Sequence, residues 1–415
     1  MITLPVQAQS PQPSPAPASP SPAASPDLPA DSTPQERYQT FTDWCLSQAN
    51  LSPEARITVE ALLQKAGTTD CTAANTALTG VTELDLLGQG QISDLRPLRS
   101  LTQLTTLNLG NNSITDLRPL RRLVNLRQLY AFNNQITDLS SLQSLTNLTD
   151  INFSNNPIQD IRPLTSLGNL TQARLGNCQI TDLSPLQSLT QLTSVELNNN
   201  QIEDLSPLRS LSNLTELYLN ENQIRDIEPL QSLTNLQALV LEQNRLEDIA
   251  VLRSLTNLEY LLLNDNEIED ISALQGMVNL TILDLQNNQI RDLSPLRSLL
   301  NLATLNLANN EISDLRPLRS LPRLYALDLS SNQIRKVQPL RSLPQLKFLN
   351  LRDNRIEAVR PLGQLTQLET LDLSENQVTR VGGLRSLSQL TRLVLTDNPL
   401  ENQICPLTPD SICVF

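Results

Sequence analysis

Leucines recur along most of this chain at spacings of three, three and two, and the whole set returns every 22 residues. Residues 101–122, LTQLTTLNLGNNSITDLRPLRR, set the frame L-x-x-L-x-x-L-x-L-x-x-N-x-I-x-D-L-x-P-L-x-x. The frame starts again at 123 and at every 22nd residue to 387, and a slightly longer copy starts at Leu78. The L-x-L spacing predicts a short strand whose side chains alternate in and out. The rest of each unit predicts a short helical or 3₁₀ return. One unit cannot bury its apolar face alone, but neighbours bury each other, so the chain stacks into a solenoid with a long curved surface. The expected fold class is an α/β solenoid, a horseshoe whose concave face is a parallel sheet of about fifteen strands. Strands about 4.8 Å apart give a sheet roughly 65–70 Å long.

Each column of the frame has a physical task. Leu104, Leu107, Leu109, Leu117 and Leu120 point into the continuous core. Asn112, Asn134, Asn156, and Asn200 onward to Asn398 form a column of amides, each able to donate and accept toward backbone groups of adjacent turns. Cys178 takes this place once, as a weak donor in the same slot. Asp94 to Asp314 form an unbroken aspartate column, expected to cap the return turns. A calcium loop is not expected there, because its ligand spacing is absent. Lys336, Ala358 and Arg380 then replace the aspartates.

Outside the repeats the pattern changes. Residues 1–8 read as the remnant of a signal peptide, with Val6-Gln7-Ala8 resembling a small-x-small cleavage site. Residues 9–34 are a Pro/Ser/Ala-rich linker. Residues 35–77 form a helical N-terminal cap. Ser52 and Pro53 open a helix running to about Lys65 and stopped by Gly67, and Tyr38, Phe41, Trp44 and Leu46 share an apolar face of an earlier helix. The repeats span 78–398, and 399–415 close the far end. Cys45 and Cys71 precede the first repeat, while Cys405 and Cys413 follow the last. Each pair is expected to be a disulfide stapling a cap, which implies an oxidising compartment.

Composition removes several functions. The net charge of −13 disfavours nucleic acid and anionic membranes as partners. No run of about 18 apolar residues predicts a membrane span. The chain has no histidine, hence no histidine-based triad or histidine metal site, and it has no phosphate-binding glycine loop. No catalytic residue, cofactor or metal is expected, and the chain is expected to be a monomer.

The concave columns carry the functional reading. They and the position before each asparagine hold fourteen acids: Glu83, Asp85, Asp150, Glu196, Glu216, Glu221, Glu242, Asp265, Asp284, Asp328, Asp353, Asp372, Glu375 and Asp397. Only Arg174, Arg352 and Arg392 oppose them, while Arg99, Arg121, Arg209, Arg253, Arg297, Arg319, Arg341 and Arg385 share a column on the opposite edge. In the middle repeats Tyr218, Val240 and Leu262 follow one another in one concave column, with Tyr260 and Ile282 beside them. Glu196, Glu216, Glu242 and Asp284 rim this group, which has the anatomy of an interface core with a polar rim. Tyr130 and Phe132, near Arg174, form a smaller cluster. A protein partner with a basic, partly apolar surface is expected.

The frame from Leu78 to Asn398 is that of a leucine-rich repeat, and it resembles the 22-residue repeats of bacterial internalin-type proteins. The resemblance implies a secreted or surface protein that binds other proteins on its concave face. The chain departs from that family in its cysteine-containing N-cap, and it shows no immunoglobulin-like inter-repeat domain and no LPxTG signal, so host invasion is not implied. The repeat length also resembles that of a cytosolic phosphatase-regulatory subunit. A third reading, a polysaccharide-acting enzyme using concave carboxylates, ranks below both because no carboxylate pair stands out in the sequence.

Overall fold

The fold is built from one short strand and one tight return per 22 residues. The computed structural model describes residues 38–89 and 91–415. Thr40–Phe415 is one unit, and of the separate unit Met1–Gln39 only Tyr38 and Gln39 are described. The expected leader remnant and linker lie outside the described residues. Three-residue strands run from β1 (Glu83–Asp85) and β2 (Thr106–Asn108), then every 22 residues, to β15 (Arg392–Val394). All pair in parallel, in sequence order, as an open sheet. A sixteenth strand, β16 (Cys413–Val414), pairs in parallel with β15. The C-terminal segment was expected only to close the stack. It instead adds a strand, so the sheet has sixteen strands and not fifteen.

The leucine columns are fully buried, with Leu104, Leu107, Leu109 and Leu120 at 0% exposure. The amide column does what its chemistry allows. Asn244 Nδ2 donates to the carbonyls of Leu219, Leu241 and Glu242 at 3.0–3.2 Å, and its Oδ1 accepts the Ile224 N–H at 3.0 Å. Its equivalents repeat this pattern, clamping each coil to the one before it. Cys178 fills the slot with a weaker partner. Its Sγ faces the Phe153 and Gly176 carbonyls at 3.7 and 3.6 Å. The Ile158 N–H, which an asparagine at 178 would accept, turns back to the Asn156 carbonyl at 2.8 Å.

Before each ladder asparagine the chain turns through the left-handed region. From Asn111 to Asp397, fourteen residues have φ between 50° and 59°. Asn and Asp tolerate this conformation best among non-glycine residues. The acids Asp265, Asp353 and Asp397 at these positions therefore answer to backbone geometry as well as to charge.

Each aspartate from Asp94 to Asp314 accepts, through Oδ1, the backbone N–H two residues on, at 2.7–3.0 Å. The capping expectation is corrected by one residue. The residue preceding each return turn is Leu95 or its equivalent, and the aspartate before it closes an Asx turn. Where the aspartates are lost, Lys336 and Ala358 instead form an isolated parallel bridge.

The N-terminal cap has three helices: α1 (Phe41–Leu46), α2 (Pro53–Ala66) and α3 (Cys71–Gly80). Ser52 caps α2, and Gly67 ends it with φ of 68°. Phe41 and Trp44 are buried, but Leu46 is 74% exposed and Tyr38 precedes the helix, which is too short to place all four on one face. The helix α3 was not expected, and it runs past the boundary drawn at residue 77. Disulfides Cys45–Cys71 and Cys405–Cys413 are both formed, the first joining α1 to α3. Thr58 Oγ1 donates to the Asp94 carbonyl at 2.7 Å and docks α2 on the first repeat.

Asn244→Ala leaves two buried carbonyls and one buried N–H without their amide partner, at roughly 1–3 kcal/mol per orphaned group. A loss of about 3 kcal/mol in urea unfolding is expected. Cys178→Asn replaces a weak sulfur partner with the full amide clamp of the other repeats and should stabilise by about 1 kcal/mol. Equal effects of the two changes, or none, would show that the ladder does not hold the stack.

Candidate functional site

Strand pairing sets the concave columns side by side. Glu196, Tyr218, Val240, Leu262 and Asp284 stand opposite one another on successive strands, and so do Glu216, Ala238, Tyr260 and Ile282. The apolar group is thus continuous over four strands, with a carboxylate at each end of the first column. Tyr218, Tyr260, Leu262 and Ile282 are half-buried, Glu216 is exposed, and Glu196, Glu242 and Asp284 are intermediate. Val240 departs from expectation at 5% exposure. It sits between the larger Tyr218 and Leu262 on a flat sheet, so it supports them and offers no contact surface of its own.

The electrostatics of this patch are uneven. Burial raises the Glu242 carboxyl, and repulsion from Asp284, Glu221 and Asp265 adds to it. Burial also raises Asp284, against hydrogen bonds from the Gln286 N–H at 2.9 Å and Asn306 Nδ2 at 3.0 Å. Burial, then nearby carboxylates, raises the Tyr218 and Tyr260 phenols, keeping them protonated donors. These two carboxyls are therefore distinguished by environment, which the sequence pattern did not show. They lie two strands apart at the rim of an apolar patch.

The smaller cluster is a closed polar network. Tyr130 Oη donates to Asp150 Oδ2 at 2.7 Å. Arg174 reaches Asp150 at 3.0 Å, Glu196 at 3.1 Å and Gln172 at 2.9 Å. Burial and the Asp150 bond push the Tyr130 phenol up to about 12. Phe132 lies apart from this network, its ring packed where a side chain at Gly110 would stand. Arg174 thereby links the smaller cluster to Glu196 of the central rim.

A third feature was missed. A groove of about 660 Å³ lies on the concave face between β10 (Ile282–Asp284) and β15. At its centre Phe348 is 37% exposed and meets Tyr325 edge-on, with ring centroids 5.2 Å apart. Asp284, Asn306, Asp328, Asn350 and Asp372 line one side in alternation. Asn306 bonds Asp284 at 3.0 Å, and Asn350 bonds Asp328 at 2.9 Å. The signal was available: Phe348 occupies the same column as Tyr260, four repeats on. Among the described residues no His/Cys/Asp/Glu group could hold a metal ion, and no helix is long and apolar enough to cross a membrane.

Arg174→Ala should lower stability by about 2 kcal/mol, because Asp150, at 9% exposure, then lacks its cation. Arg174→Lys should recover less than half of that, since a point charge cannot hold three partners. Urea unfolding of both variants checks this, and a loss below about 0.5 kcal/mol would place the network among surface pairs of no consequence.

A family model described as leucine-rich repeats (2 copies) matches nine segments, from 77–122 to 366–409. No curated protein matches the chain. Among solved structures, an internalin (inlF) of Listeria monocytogenes is 33% identical with a TM-score of 0.65, over 85% of this chain and 99% of that one. A leucine-rich repeat protein of Leptospira interrogans is 27% identical with a TM-score of 0.73, over 81% and 87%. The Arabidopsis receptor kinase HAESA, solved with the peptide hormone IDA and the co-receptor SERK1, shares the fold at 23% identity and a TM-score of 0.66, over 84% and 70%. Its repeats, its parallel sheet and these matches agree: the chain belongs to the leucine-rich repeat family, among its internalin-like members.

Proposed function

We propose that this protein is a non-catalytic binding scaffold that works outside the cytoplasm and presents its concave face to a protein partner with a basic, partly apolar surface. The observation that carries the reading is the register of β7 (Glu216–Tyr218) to β10, which gathers Tyr218, Tyr260, Leu262 and Ile282 into one patch rimmed by Glu196, Glu216, Glu242 and Asp284. Fully desolvated aromatics at the centre of a polar rim are where binding energy concentrates. The raised carboxyls argue for a cationic partner. A carboxyl whose folded pKa lies above its unfolded value contributes stability at low pH that is lost as pH rises through the folded value. Burial leaves the charged forms of Glu242 and Asp284 incompletely solvated, a cost that a lysine or arginine from a partner would relieve. The groove at Phe348 extends the same face, with Asp328 and Asp372 beside an exposed ring.

The two cap disulfides support an extracytoplasmic site of action and count against the cytosolic regulatory subunit. The polysaccharide-acting enzyme ranks below the binding reading: of the two carboxyls that burial raises, Glu242 and Asp284, the second already accepts the Gln286 N–H and Asn306 Nδ2. Asp284, Asp328 and Asp372 accept local backbone N–H groups, and Asn306 and Asn350 occupy further lone pairs of Asp284 and Asp328.

Peptides selected from a random library on the full chain should be enriched in Lys or Arg beside aromatic or aliphatic residues. Tyr218→Ala combined with Tyr260→Ala should abolish their binding while leaving the unfolding free energy within about 1 kcal/mol of the parent. Selected peptides of acidic or neutral character, or undiminished binding to the double variant, would remove the central patch from the account.

A further inference from the structure

The aspartate column ends at Asp314, on the face opposite the sheet. In earlier repeats an arginine two residues after the column aspartate is always held by it. Arg96–Asp94, Arg118–Asp116, Arg162–Asp160 and Arg316–Asp314 pair at 2.5–3.0 Å. Arg360 has the same place in its repeat, but the column residue there is Ala358, so that partner is gone. In the repeat before, the column residue is itself a cation, Lys336.

The arginine column runs through the same window, with Arg297, Arg319 and Arg341 on consecutive repeats. Of its earlier members, Arg209 is neutralised by Glu228 at 2.6 Å. The position equivalent to Glu228 beside Arg319 is Gln338. Return turns in this region stack in register: Ser320 Oγ donates to the Arg297 carbonyl at 2.9 Å, and Ser342 Oγ to the Arg319 carbonyl at 3.5 Å. Arg319 and Arg341 therefore stand on adjacent coils. The next place in the column is Gly363, where a side chain would collide with the Gly383 carbonyl, and Arg385 resumes it. Arg319, Lys336, Arg341, Arg360 and Arg385 are all exposed. Among the described residues none of the five has a carboxylate within ion-pair distance. Glu357 is the nearest acid in sequence, and Arg380 is taken by Glu401 at 2.7 Å.

We propose that this return-side stripe is a second binding site, independent of the concave face, for a linear anionic polysaccharide. The aspartate column loses its carboxylates over these three repeats, beside Arg341, Arg360 and Arg385, in a chain whose net charge is −13. The result is a narrow line of unneutralised cations, most of them guanidinium forks that suit carboxylate and sulfate groups. A polymer with regularly spaced anions can follow such a line from coil to coil. A bilayer would need apolar side chains to insert, and a single-stranded nucleic acid would need aromatic platforms; the stripe residues supply neither.

Heparin serves as the probe, titrated calorimetrically into the full chain at low salt and at about 0.15 M salt. Saturable binding that weakens with salt is expected. Combined Lys336→Gln, Arg341→Gln and Arg360→Gln should weaken it by about tenfold or more. Arg121→Gln with Arg253→Gln, the same chemistry on earlier coils, should change it less than twofold. The proposal is overturned by absence of saturable heparin binding, by equal losses in the two variants, or by selective binding of phosphatidylglycerol vesicles or duplex DNA in place of heparin. All five substitutions are of exposed residues, and an unchanged thermal unfolding midpoint separates loss of binding from loss of fold.

Discussion

The structure depends on the buried amide that clamps each coil to the previous one. A leucine core is non-directional and would tolerate coils sliding or rotating relative to one another. The asparagine side chain is directional. It takes carbonyls from its own turn and from the coil before, and it returns one acceptor to a backbone N–H twenty residues back. Every group it satisfies is buried and would otherwise be costly. Register is thereby set once per repeat, and three-residue strands, too short to be stable alone, become a sixteen-stranded sheet.

Register turns sequence columns into surfaces. A residue type repeated at 22 becomes a stripe, and a change of residue type in two or three repeats becomes a local patch. The apolar group at Tyr218 to Ile282 and the Asp/Asn alternation along the Phe348 groove are such patches on the sheet side. The unneutralised cations from Arg319 to Arg385 are another on the return side. The two faces carry opposite local charge because the strand and the return turn of each repeat supply them separately. One scaffold can thus hold two chemically different sites without either constraining the other.

The repeat made the architecture readable in advance. The L-x-L spacing located the strands, the asparagine column was recognised as a backbone clamp, and the cysteine pairs at the two ends marked the caps. What was not readable depended on shape. Nothing local distinguishes Val240 from Leu262, yet its flanking strands carry larger side chains that overtop it. Arg174 carries three bonds the sequence did not show, to Asp150 and Glu196 on the neighbouring strands and to Gln172 on its own. The aspartate column was read as a cap and acts one residue earlier, as an Asx turn, because the return is 3₁₀ and tight. The strand at Cys413 carries no repeat signal at all, and only docking against Leu393 and Val394 reveals it.

Site-specific photo-crosslinking in the native source tests the central claim most directly. A benzoylphenylalanine at Ile282 samples the concave patch, and one at Gln231 samples the return side away from the cationic stripe. The account predicts a discrete covalent adduct with another protein from position 282, absent from position 231. Adducts from 231 alone, or equal adducts from both positions, would contradict a concave protein-binding face.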